Sequence, residues 1–132
     1  MPWSGINWVA VVLGAVFNMA LGALWYGPLF GNLWLKWIGK SKEELESSPG
    51  MYLGPLAAAF VSALVLDLIV LAFGAGTWYQ GLWAGVLVWV GIGATATLTT
   101  HFFEDQSTGV WLLFAAYQLV VFAVQGLVFA VW

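Results

Sequence analysis

The sequence predicts an all-α integral membrane protein, with four transmembrane helices in an antiparallel bundle and a short interfacial amphipathic helix between the first two spans. Three observations lead there. Of the 132 residues 63% are hydrophobic and only 7% charged, where a soluble domain carries about 25% charged residues. The apolar residues gather into four runs, each near the ~20 residues that a helix rising 1.5 Å per residue needs to cross a bilayer. The runs are also continuous, whereas membrane β-barrels, the other way to satisfy backbone groups in lipid, are written in alternating strands of about ten residues.

The first span is expected over residues 6–26. It ends in Trp25-Tyr26-Gly27-Pro28 and has no basic segment before it, so it does not read as a cleaved signal peptide. The interfacial helix follows over about 29–39, where Phe30, Leu33, Trp34, Trp37 and Ile38 repeat at helical spacing opposite Asn32, Lys36 and Lys40. Ser41-Lys42-Glu43-Glu44 then forms a capping-box sequence that can start one more polar turn. Ser47-Ser48-Pro49-Gly50 leads into the second span, residues 52–73, and Gly74-Ala75-Gly76 into the third, residues 81–103. The fourth covers residues 110–132, giving one transmembrane domain over residues 1–132.

All three lysines lie between the first two spans, and the positive-inside rule puts that connection in the cytoplasm. Both termini are then external. Tryptophans agree, since Trp and Tyr collect where membrane meets water: Trp3, Trp8, Trp78, Trp83 and Trp132 fall at the outer end, and Trp25, Trp34, Trp37 and Trp111 at the inner. Trp89 is the exception, well inside a span. These rings are expected to serve as belt and packing residues ahead of any aromatic ligand cage.

Composition removes several function classes. Three basic residues against six acidic ones, a net charge of −3, deny nucleic acid an electrostatic footing. Zero cysteines exclude disulfides and thiolate chemistry, and one histidine is too few for a His-rich metal site. No phosphate-cradling glycine loop, activated serine, haem motif or suitably spaced carboxylate pair is present. No enzyme activity, cofactor or metal is expected.

Several blocks carry a family resemblance: Asn7-Trp8, the run Gly22-Ala23-Leu24-Trp25-Tyr26-Gly27-Pro28-Leu29-Phe30-Gly31 with Trp34, Trp89-Val90-Gly91, the Thr-rich residues 95–100, Phe103-Glu104, Tyr117-Gln118-Leu119 and Trp132. Over nearly its whole length the chain resembles the small bacterial four-helix membrane proteins grouped as domain of unknown function 1761. The resemblance implies a four-span bacterial inner-membrane protein and brings no assigned activity. It also leads one to expect a basic residue shortly after Glu104, where this chain has Asp105-Gln106-Ser107.

Polar side chains inside spans are costly and mark candidate sites. By the threading above, Asp67 and Gln125 share a layer roughly 9–10 Å deep from the outer side. Asn18, Thr95 and Gln118 share one near mid-membrane. Thr99, Thr100, His101, Glu104 and Asp105 form a third at the inner end. No lysine or arginine lies in any span to pair with Asp67, so its carboxyl is expected to be protonated or wetted, and to turn inward to Gln125 in a bond of about 0.6–1.7 kcal/mol. The same carboxyl suits a proton or cation site. His101 and Glu104, an i, i+3 pair with Asp105 close by, are expected to be a solvated helix end ahead of a metal site. The threonines are expected to bond to their own helix or a neighbour.

Gly14, Asn18 and Gly22 fall on one face of the first span, and Gly81, Gly85 and Gly91 with Thr95 repeat small residues in the third. Such faces permit close helix contact, within one chain or between copies. Two functions remain in view. The first is a self-assembling or accessory structural subunit, with the lipid bilayer and a second copy or larger complex as partners. The second is a small proton- or cation-responsive transporter or channel using Asp67.

Overall fold

A computed structural model describes residues 3–39, 53–104 and 108–132, which are helical apart from short connections, with no strand among them. Helix α1 (Trp8–Leu24) starts at Asn7, whose extended backbone lets its side chain accept the Ala10 N–H at 3.1 Å. That is the N-cap geometry preferred by asparagine. The helix does not stop at Gly27-Pro28 as expected. It widens into a π-helical turn over Trp25–Leu29, where the Phe30 N–H reaches the Trp25 carbonyl at 2.9 Å. Pro28 explains the widening, because proline has no N–H for the ordinary ladder and its ring collides with the carbonyl four residues back.

Helix α2 (Gly31–Ile38) occupies the segment expected to be amphipathic and ends at Gly39, whose φ of 73° is left-handed. The Ser41 capping box lies outside the described residues. Helix α3 (Leu53–Ala72) is the second apolar run. Helix α4 (Trp78–Val88) begins three residues earlier than expected because Thr77 caps it, accepting the Gln80 N–H. A second π-helical turn, Trp89–Ala94, joins α4 to α5 (Thr95–Glu104), and α6 (Thr108–Val131) closes the chain. Among the described residues four continuous helical stretches are long and apolar enough to cross a membrane: Trp8–Leu29, Leu53–Ala72, Trp78–Phe103 and Thr108–Val131.

The buried core sits near the start of α1, where Ala10, Val11, Ala63, Leu66, Val70 and Phe129 interlock. Glycines set the helix spacing. A Cβ on Gly81 would collide with the Gly126 carbonyl, and one on Gly85 with the Phe122 carbonyl, so α4 and α6 touch backbone to backbone. Gly14 lies under Phe129 and Gln125, and Gly22 under the Tyr117 hydroxyl, at 3.0–3.3 Å from a built Cβ. These four glycines therefore pack within one chain.

Gly91 departs from its expected packing role, since nothing lies within 4 Å of a Cβ built there, and Thr95 is exposed beside it. The π turn is the reason. Its extra residue carries the α6-facing seam on to Gly93, whose built Cβ would meet Phe122 at 3.4 Å.

Candidate functional site

Three polar levels follow from this packing. At the first, Asp67 is 2% exposed and turned into the bundle. Its Oδ2 accepts the Asn7 N–H at 3.3 Å, completing a cap in which Asn7 serves Ala10 and Asp67, from another helix, serves Asn7. The carboxyl thus faces the positive end of the α1 dipole. Backbone supplies the partner that no lysine or arginine could.

The expected Asp67–Gln125 bond is not formed. Gln125, also 2% exposed, donates its Nε2 to the Gly14 carbonyl at 2.8 Å. The physical reason is that both side chains turn to α1, and Gly14, lacking a Cβ, leaves its carbonyl open to the amide. The Gln125 Oε1 is buried with no partner. Gln125→Leu removes that orphaned oxygen together with one modest bond, so melting in detergent is expected to stay within about 1 kcal/mol of wild type, while Gln125→Glu, which buries a carboxyl there, is expected to melt lower.

At the second level the Tyr117 hydroxyl donates to the Asn18 carbonyl at 2.6 Å and to the Asn18 Oδ1. Asn18, Ser62, Tyr117 and Gln118 line one cavity of about 310 Å³ between α1, α3 and α6. Gln118 contributes a second buried amide oxygen without a partner. Thr95, expected in this layer, does not reach it and instead donates to the Gly91 carbonyl at 2.9 Å. Thr97, Thr99 and Thr100 likewise bond back to Gly93, Thr95 and Ala96, as threonines in apolar helices do.

The third level is a cavity of about 400 Å³ lined by Tyr26, Trp34, Thr97, Thr100, His101, Val110, Trp111 and Phe114. His101 is half-buried there. Asp105 lies outside the described residues, and of Glu104 only its place at the end of α5 is described. Among the described residues no three His, Asp or Glu side chains come together.

Sequence reasoning missed the work of the tryptophans. The indoles of Trp25 and Trp89, one from each π turn, donate to the Leu113 and Ala115 carbonyls of α6 at 3.1 and 2.8 Å, and Trp111 donates to Thr97 Oγ1 at 3.1 Å. The signal was present in Trp89, the one indole placed away from water, which needs a protein acceptor. Trp89→Phe is expected to lower stability by about 1 kcal/mol in a detergent melt.

Four apolar helices long enough to cross a membrane suggest a multi-pass membrane protein. The chain belongs to the family described as Protein of unknown function (DUF1761), whose model matches residues 9–130. No curated protein and no solved structure matches it.

Proposed function

We propose that the chain is a non-enzymatic subunit of a membrane assembly, threaded four times through a bacterial inner membrane as an antiparallel bundle with both termini outside. Helix registers support the antiparallel threading: Gly5 lies by Leu71 and Asn7 by Asp67, Gly14 by Phe129 and Gly22 by Tyr117, Gly81 by Gly126 and Gly85 by Phe122. In each pair one partner's number rises as the other's falls. A reporter fused after Trp132 is expected to read as external and one inserted near Ser47 as cytoplasmic, and the reverse pattern rejects the orientation.

One observation carries the assembly role. The α4 helix is seamed to α6 along one side, while its other side and α3 form an open cleft of about 780 Å³, lined by Phe73, Tyr79, Trp83, Leu87, Val88 and Ile92 among others. Four of the glycines that suggested contact between copies, Gly14, Gly22, Gly81 and Gly85, are already used inside the chain, and the apolar cleft is a surface open to a further membrane helix, from a second copy or a larger complex. In mild detergent the native mass is expected to exceed 14.3 kDa, and a single species of that mass with no partner rejects assembly. The sequence has no cysteine, so a Leu87→Cys variant reports contact at the cleft by cross-linking without background.

Proton- or cation-responsive transport is the second reading, favoured by the cavity that Asn18 and Gln118 share. Asp67, engaged at the start of α1, stands apart from that cavity's lining. Flux of protons and cations in vesicles that does not differ between wild type and Asp67→Asn removes Asp67 from such a role.

A further inference from the structure

The geometry points to the cavity beside α2 as a binding site for an alkylated ammonium group, either a soluble quaternary amine or a lipid headgroup. Its walls are rich in aromatic rings. Four of the eight lining residues are aromatic, Tyr26 from the first π turn, Trp34 from α2, and Trp111 and Phe114 from α6, and Val110 is the one aliphatic side chain among them. In the α3–α4 cleft the aromatic share is smaller, three of ten lining residues. Tyr26 and Trp34 hold each other in an edge-to-face contact with ring centroids 5.0 Å apart, which fixes Trp34 from a different element.

The chemistry of that wall selects for positive charge. Aromatic faces carry negative potential and attract an ammonium within about 6 Å of a ring centroid, tryptophan most strongly. Among the described residues no lysine or arginine lines the cavity. The polar groups of the described lining are the Tyr26, Thr97 and Thr100 hydroxyls and the His101 ring. Among the described residues a phosphate or carboxylate would find no lysine or arginine there. The alkyl groups of a quaternary ammonium also suit an apolar wall, where a bare metal ion or primary ammonium would lose its water without replacement. The chain as a whole is acidic, at −3, which favours a cationic ligand over an anionic one.

The test titrates choline, and its neutral isostere 3,3-dimethylbutan-1-ol, into the full chain in maltoside micelles, following the methyl proton resonances. The choline trimethyl signal is expected to move upfield under the ring currents and to saturate, with the neutral isostere binding at least fivefold more weakly. Trp34→Leu is expected to weaken choline about fivefold and Trp34→Phe by less, because a smaller ring remains. Equal binding of the two probes to wild type, or no binding of choline, overturns the proposal without reference to any variant. Repeating the titration in nanodiscs separates the sources. Loss of choline binding in phosphatidylcholine but not in phosphatidylglycerol assigns the site to a lipid headgroup, and undiminished binding in both assigns it to a soluble amine.

Discussion

Gly85→Val is expected to keep α4 from seating on α6, costing about 3 kcal/mol or more, at or above the upper end for overpacked cores. The obstacle is a backbone carbonyl, that of Phe122, with the Ala123 Cα behind it. A flexible side chain can rotate away from an added methyl; a carbonyl inside a helix cannot move without moving the helix. Gly81→Val meets the Gly126 carbonyl and the Ala130 Cβ and is expected to behave alike. Gly91→Ala is the control on the same span. It faces open space, and removing a helix-interior glycine can gain up to about 1 kcal/mol. Thermal melts in one detergent rank the three, and a Gly85→Val protein that melts with wild type would show that the seam is not formed.

Asp67→Leu is expected to lower stability by about 1 kcal/mol, the lower end for an unsatisfied donor, because Asn7 is half-buried. The donor is the Asn7 N–H at the start of α1, and a leucine of similar size cannot accept it. Asp67→Asn keeps an oxygen there and loses only the charge facing the helix dipole, a change of about 0.3–1 kcal/mol. Hydrogen exchange at the first turn of α1 separates this account from one based on a Gln125 bond. Faster exchange at Asn7 and Ala10 is expected in the leucine variant, and exchange confined instead to α6 would move the partner back to Gln125. The partner is a backbone group fixed at the start of α1, and not a side chain that can turn elsewhere.

The number of spans, their approximate limits and the α2 helix were legible in the chain because each depends on local properties: run length, apolar periodicity at 3.6 residues, and breaks such as Ser48-Pro49-Gly50. The two π turns were not. Gly27-Pro28 reads as a stop, and only contact with neighbouring elements makes continuation through a widened turn the lower-energy course. The second, Trp89–Ala94, contains no proline, and its indole anchor on Ala115 lies 26 residues away in the sequence.

Depth and azimuth divide in the same way. Counting 1.5 Å per residue put Asp67 level with Gln125 and Asn18 level with Gln118, and the structure indeed brings Asn18 and Gln118 to one cavity. Asp67 and Gln125 nonetheless bind α1 at Asn7 and Gly14 and not each other. The sequence by itself determined where the four long apolar helices run and that polar groups on them need partners, since unsatisfied groups away from water cost several kcal/mol. Which inward partner each group meets was decided only in the tertiary structure. Partner choice depends on how far neighbouring helices rotate and how closely glycines such as Gly14, Gly81 and Gly85 let them approach, and those quantities belong to pairs of helices and to no single segment of the chain.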